Sequence, residues 1–265
     1  MNSRPFLEVK DLTAGYRTFF IRDITFSVSR GEFFGIIGPN GSGKTTLLRT
    51  LSGLLRPLKG EILLKGRPIR HIPRREFSRL VAVVSQQPPQ ESLTAEEYVL
   101  LGRLPHFGRF QLLETVRDRE IARKAMELTG ILPLRERLTG ELSSGEKQLL
   151  NIARSLAQEP ELLLLDEPIA HLDIAHQIEI MDLLRRLQRE LGLTIIIVLH
   201  DLNLASEYCE RLMLLRDGLP YSTGTPEGVI TYQAIEDVYR TVVIVRENPL
   251  SKKPFVLPVP ADYIK

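Results

Sequence analysis

Apolar and polar residues alternate in two early stretches, Phe6 to Val9 and Ile24 to Val28, the second running into the turn Ser29-Arg30-Gly31. A period of two turns one face of each segment toward a core, so both read as strands. Phe33 to Ile37 is apolar throughout and stops at Gly38, as a short strand buried on both faces would. The period then changes. From Lys44 to Leu51, Leu47, Leu48 and Leu51 recur at helical spacing, and Gly53 follows as a helix stop. Glu61 to Leu64, between Gly60 and Gly66, and Val81 to Val84 complete the early strands.

Past Pro88-Pro89 the pattern becomes helical. Thr94-Ala-Glu-Glu97 is a capping-box sequence that opens one helix, and Asp118 to Leu128 is a second, charged and amphipathic. Leu142 to Glu159 begins as a loop and continues as a helix that Pro160 stops. Leu162 to Leu165 and Thr194 to Leu199 are core strands. Between them Gln177 to Leu191 sets Ile178, Met181, Leu184 and Leu187 on one helical face. Strand, helix, strand in that order predicts an α/β fold with a parallel sheet. Residues 88–141 read as a helical insertion into it, and 224–265 as a C-terminal extension.

Composition narrows the class. A hydrophobic share of 43%, a charged share of 26% and a mean hydropathy of −0.05 exclude disorder and a collagen-like fibre. The longest apolar runs, such as Ile195 to Leu199, are far short of a membrane span, and MNSRPFLEVKD has no signal-peptide core. One cysteine, Cys209, excludes an internal disulfide framework. Thirty-five Lys and Arg against 33 Asp and Glu leave a net charge of +2, too little to argue for nucleic acid. The expectation is a soluble cytosolic protein.

Gly38-Pro-Asn-Gly-Ser-Gly43-Lys44-Thr45 matches G-x-x-x-x-G-K-[ST], with a strand before it and a helix after it. Glycines let successive backbone N–H groups converge on a phosphate, and the helix start adds its positive dipole end. Lys44 supplies a point charge for the β- and γ-phosphates, and the Thr45 hydroxyl a ligand for Mg²⁺. Downstream, the apolar strand Leu162 to Leu165 ends in Asp166-Glu167. Ligands gather at the C-terminal ends of such strands. Asp166 there suits Mg²⁺, and Glu167 is either the group that orients a water or a solvated strand-end carboxylate. His200 follows the other core strand, where a histidine serves catalysis or structure.

At this point the sequence resembles the ATP-binding cassette (ABC) ATPases over essentially its whole length. Gly38, Pro39, Asn40, Gly41, Ser42, Gly43, Lys44, Thr45 and Thr46 correspond to the phosphate loop, and Asp166 and Glu167 to the Walker B aspartate and catalytic glutamate. Tyr16 matches the aromatic that stacks on adenine; a core or turn tyrosine is the other reading. Gln86 matches the Q-loop glutamine that senses Mg²⁺ and water, with Gln87 as the neighbouring alternative. Leu142-Ser143-Ser144-Gly145-Glu146 corresponds to the LSGGQ signature, Ala170-His171-Leu172-Asp173 to the D-loop, and His200 to the switch histidine. The resemblance implies a P-loop NTPase (RecA-like) parallel-sheet core with an N-terminal antiparallel β part and an α-helical subdomain. It also implies Mg²⁺-dependent ATP hydrolysis in a head-to-tail homodimer, each nucleotide lying between one phosphate loop and the partner's signature.

The signature departs from the family pattern. Ser144 stands where the first glycine is expected and Glu146 where the glutamine is. A carboxylate there opposes a polyanion unless its side chain turns away.

Three further segments are similar to the ATPases of iron-siderophore, haem and vitamin B12 importers: Leu100-Leu-Gly-Arg-Leu-Pro-His106, His200-Asp-Leu-Asn-Leu-Ala-Ser-Glu-Tyr208, and the tail from Gly224-Thr-Pro-Glu-Gly-Val-Ile-Thr231 through Asp237-Val-Tyr239 to Asn248-Pro249. That branch implies integral-membrane permease subunits as partners and, through them, an extracytoplasmic substrate-binding protein. It also implies peripheral attachment at the cytoplasmic side of the membrane. The insertion then carries the permease groove, while its apolar residues, including Phe107 and Phe110, read as core first and as partner contacts second. Arg67, Arg70, Arg74, Arg75 and Arg79 read as a solvated face, with phospholipid headgroup contact as the other reading. An exporter cassette is the nearest competing reading. A DNA-repair ATPase is disfavoured, because about a hundred residues without sustained heptads separate Lys44 from Ser143.

Overall fold

The computed structural model describes residues 5–84, 91–108 and 110–263, which cluster into two compact units, 1–71 with 194–265 and 72–193. The chain opens with β1 (Leu7–Tyr16), β2 (Phe19–Val28), β3 (Phe33–Ile37), α1 (Lys44–Leu51), β4 (Lys59–Leu64) and β5 (Arg67–Pro68). The second unit holds α2 (Arg74–Leu80), β6 (Val81–Val84), α3 (Ala95–Leu100), α4 (Val116–Leu128), α5 (Ser144–Ala157), β7 (Leu162–Asp166) and α6 (Ile174–Leu191). The chain then returns to the first unit with β8 (Thr194–Val198), α7 (Leu202–Tyr208), β9 (Arg211–Arg216) and β10 (Leu219–Gly224). It finishes with α8 (Pro226–Val229), α9 (Tyr232–Tyr239), β11 (Val243–Glu247) and β12 (Pro254–Pro258).

In the first unit β2, β1, β4 and β5 form an antiparallel sheet in that order. Both early strands outrun the alternating stretches, because β1 and β2 continue to a hairpin in which Tyr16 pairs with Phe19. Register shifts between Val9 and Ala14 interrupt the alternation, which hides the strand's full length from a period-two reading. Beside this sheet, β3 runs parallel to β8 on one side and β9 on the other, and β10 returns antiparallel to β9. All five residues of β3 and of β8 are buried. Burial on both faces is why these runs are continuously apolar, and each such Ile or Phe contributes about 1.5–3 kcal/mol. Phe26 and Phe34 stack with centroids 5.2 Å apart, joining β2 to β3. Cys209 is fully buried.

In the second unit β6 and β7 pair in parallel from Val81 with Leu162 to Val84 with Leu165. The capping box at Thr94 and Glu97 is present, and a second one, Thr115 with Asp118, starts α4 two residues before the expected helix. Two expectations are corrected here. On α6, Met181, Leu184 and Leu187 are buried as expected and are joined by Ile180 and Leu183, but Ile178, near the start of the helix, is 43% exposed. Phe110 is 89% exposed, with residues 110–114 in neither helix nor strand, while Phe107 is half-buried. The five arginines from Arg67 to Arg79 are exposed, although Arg75 and Arg79 both donate to the Pro105 carbonyl at 2.9 Å.

Arg103, in the Leu100–His106 segment, is almost fully buried. It donates to Asp118 Oδ1 at 3.1 Å, to the Ala157 carbonyl at 2.6 Å and to Glu159 at 2.8 Å. One guanidinium thus ties α4 to the end of α5. Burial works to raise the Asp118 pKa, but hydrogen bonds from Thr115, Arg103 and Gln111 prevail and hold it at about 2.

Candidate nucleotide site

The loop from β3 to α1 has φ of 149° at Gly38, 79° at Gly41 and 103° at Gly43. Gly43 has two reasons to be glycine. Its φ is one that other residues resist, and a Cβ there would lie 2.5 Å from Ile21 Cγ2. The β1–β2 hairpin therefore packs directly beneath the loop. Lys44 is buried and its ammonium donates to the carbonyls of Gly38 (2.8 Å) and Pro39 (3.0 Å), folding the loop around itself. Ser42 Oγ is buried without a hydrogen-bond partner. No side chain caps α1 and no acidic residue occupies its first turn, whereas α3 to α7 all start on a side-chain cap. A buried ammonium, an orphaned hydroxyl and an uncapped helix start in a glycine loop together suit a phosphate.

The register of β3 and β8 pairs Ile36 with Val198, so Gly38 and His200 leave adjacent strand ends two residues further on. His200 is exposed there, and the Asp201 that follows caps α7 through the Asn203 and Leu204 amides at 2.8 and 2.9 Å. Tyr16, at the end of β1, is 45% exposed, and its hydroxyl accepts from Arg49 of α1 at 3.2 Å. That leaves the ring on the surface rather than in the core.

In the second unit Asp166 ends β7, and Glu167 has φ 52°. A left-handed glutamate is strained by about 1 kcal/mol, a cost that side chains at functional sites often carry. Asp173 caps α6 by accepting from the His176 amide at 2.9 Å. Ser143 caps α5, and here the expected conflict over Glu146 is resolved. Its carboxylate turns back to accept from the Ser143 amide at 2.7 Å, while Ser143 Oγ accepts from the Glu146 amide at 3.3 Å. These bonds to Ser143 lower the Glu146 pKa, so it stays ionised. Gln86 and the neighbouring Gln87 lie outside the described residues.

Several contacts that shape the site could not be read from the sequence, although Asn203 and Tyr239 lie in segments singled out there by resemblance. Asn203 exchanges two hydrogen bonds with the Val256 backbone, at 3.2 and 2.7 Å, and Lys253 donates to the Glu207 carbonyl at 2.8 Å. The β11–β12 hairpin of the extension thereby holds both ends of the helix that follows His200. Tyr239 is half-buried with its hydroxyl oxygen out of solvent; this desolvation pushes its phenol up to about 12, with the Gly38 backbone pulling the other way. Asp173 at the start of α6 is a legible N-cap, but its bond goes to a backbone amide, so nothing in the sequence marked His176 itself.

The class follows from these features: an α/β nucleotide-binding domain with a P-loop between a buried parallel strand and a helix. The family follows from the comparisons. The family model described as ABC transporter matches residues 21–170. The chain is 39% identical over 255 residues to the ferric enterobactin transport ATP-binding protein FepC of Escherichia coli (strain K12), covering 96% of this chain and 94% of that one. It is 39% identical over 253 residues to the uncharacterized ABC transporter ATP-binding protein YvrA of Bacillus subtilis (strain 168), where it covers 95% of this chain but only 57% of the relative. A solved structure described as a metal-chelate type ABC transporter in an inward-facing conformation superposes with a TM-score of 0.85 at 25% identity, over 98% of this chain and 99% of that one. The chain belongs to the ABC transporter family, whose cassettes hydrolyse ATP.

Proposed function

We propose that the chain binds and hydrolyses ATP to power an ABC importer for iron chelates such as siderophores, for haem or for vitamin B12. The observation that carries the reading is the phosphate loop, with Lys44 folded onto the Gly38 and Pro39 carbonyls and Ser42 Oγ buried and unpartnered. The loop amides and Lys44 bind the β- and γ-phosphates, and Tyr16 stacks on the base. Thr45, Asp166 and Gln86 would hold Mg²⁺; hydroxyl, carboxylate and amide oxygens are the hard donors this ion takes. Bound there, the ion offsets the charge on the phosphates. Glu167 orients and deprotonates the attacking water, and His200 contacts the γ-phosphate.

Two copies pair head to tail, with Ser143, Ser144, Gly145 and Glu146 of one chain, together with its Asp173, closing over the nucleotide of the other. Closure excludes bulk water from the γ-phosphate. The insertion docks on permease subunits at the cytoplasmic side of the membrane, and a substrate-binding protein serves that permease from outside. Exposed Leu104, Phe110, Leu112 and Leu113 favour a protein partner on this face. No helix among the described residues is long and apolar enough to cross a membrane.

The test is Glu167→Gln. It is expected to keep ATP binding, lose turnover by about a hundredfold or more, and sediment as a dimer only with Mg-ATP. Normal turnover with ATP still bound would overturn the assignment of Glu167.

A further inference from the structure

We propose that His176 is a positioning residue that ties the D-loop aspartate to the signature turn of its own chain and offsets the acidic residue in that signature. This rests on the reading that both segments act on the nucleotide bound by a second copy.

The geometry lies within one compact unit. Asp173 Oδ1 already accepts from the His176 amide at 2.9 Å. The same carboxylate takes the ring Nδ1 at 2.8 Å through Oδ2 and at 2.9 Å through Oδ1. An ionised carboxylate only accepts, so Nδ1 carries the proton. The opposite edge of the ring rests on Gly145. A Cβ at that position would lie 2.6 Å from His176 Cδ2 and 3.1 Å from Nε2. The imidazole is therefore clamped between the D-loop carboxylate and the backbone of the signature turn.

This contact explains which signature glycine the chain keeps. Ser144, where the family has its first glycine, is exposed and admits a side chain. Gly145 is buried beneath the imidazole, and its constraint is this close approach, since it is absent from the residues with positive φ. Any side chain at 145 would push the ring away and loosen the D-loop.

Charge gives the second half of the argument. The groups facing His176 are Asp173 and Glu179 from its own helix and Glu146 from α5, with Arg137 acting on Glu146 from the other side. Three carboxylates meet one arginine, and a protonated imidazole brings the cluster closer to neutral. The hydrogen bond to Asp173, then its charge, raise the His176 pKa. A raised folded-state value means the contribution is complete below the ordinary histidine range and is lost as pH rises through the raised value. The imidazolium thus offsets Glu146 where the family's neutral glutamine would need no offset.

The experiment uses the full chain and the variants His176→Ala, His176→Asn and Glu146→Gln. Asparagine places an amide donor close to Nδ1, keeping the bond to Asp173 without the charge. His176→Ala is expected to raise the ATP concentration for half-maximal turnover by about two- to fivefold, the range for an exposed ion pair, with a smaller change in the maximal rate. His176→Asn restores most of this at pH 8 but not at pH 6. The penalty for His176→Ala shrinks when Glu146→Gln is also present. In ATP-free protein, hydrogen exchange over residues 143–147 and 171–176 speeds up in His176→Ala by about the same factor. Parental exchange, half-saturation and pH profile in His176→Ala would overturn the proposal. A Glu167→Gln chain that stays monomeric with Mg-ATP, while exchange still responds to His176→Ala, would instead overturn the pairing of copies and leave the tie standing.

Discussion

At the residue scale the site rests on a few positions where a single atom decides the outcome. Gly43 is the sharpest, because its φ of 103° and the 2.5 Å approach of Ile21 Cγ2 act against the same Cβ. Gly43→Ala is expected to weaken ATP binding by about tenfold or more, since the loop amides can no longer converge. The check is the rise in melting temperature with Mg-ATP, which the variant should largely lose while the ligand-free protein still melts cooperatively. Recovery of the parental shift would show that the loop tolerates a side chain there. Glycine, lysine and threonine at fixed spacing were legible in the sequence because the chemistry constrains each locally. That Ser42 ends as an orphaned buried hydroxyl was not, since burial depends on what packs above it.

At the element scale the insertion and the extension behave differently from the strands. Continuous apolar runs predicted β3, β7 and β8 almost to the residue, because a strand buried on both faces has no polar position to confuse the period. Of the expected α6 face, Met181, Leu184 and Leu187 are buried, but Ile178 is an apolar residue that the fold leaves exposed, which periodicity alone does not reveal. Arg103 shows the same limit. Nothing around it marks a buried charge, yet it joins Asp118, Ala157 and Glu159 across more than fifty residues. Arg103→Ala is expected to cost about 3 kcal/mol or more, mostly from stranding the Asp118 carboxylate in the interior. The pH dependence has a definite sign. Asp118 falls from its ordinary 3.8 to about 2, so its stabilisation is complete above the ordinary value and is lost as pH drops through about 2. Without the guanidinium the folded-state Asp118 pKa moves back toward its ordinary value, so denaturant unfolding at pH 7 and pH 3 should show a smaller loss on acidification in Arg103→Ala than in the parent. Equal losses would remove Arg103 from the account of the Asp118 pKa.

At the scale of the whole molecule, head-to-tail pairing makes a prediction no single chain can satisfy. A Lys44→Ala chain lacks the phosphate ammonium, and a Ser143→Arg chain blocks the signature turn it would offer a partner. Each alone should be nearly inactive. Mixed in equal amounts, random pairing makes half the dimers mixed, each with one intact composite site of two, so about a quarter of parental turnover should return. A mixture no more active than the sum of its parts would count against the composite site.

The motifs, their order and the strand–loop–helix context could be read from the sequence alone, because each is a local demand. A glycine must allow its φ, a strand must alternate or be wholly apolar, and a helix start must find a cap. The family and the expected ATP chemistry came with them. The Glu146 carboxylate folds onto the Ser143 amide three residues away in a capping box, which is again a local demand; what lay beyond such demands was decided by the tertiary structure. It alone pressed His176 onto Gly145, and clasped α7 with a hairpin whose Val256 lies 53 residues from Asn203. Those contacts join segments distant in the chain, and a hydrogen bond or a close approach between such segments leaves no periodicity in the sequence of either one.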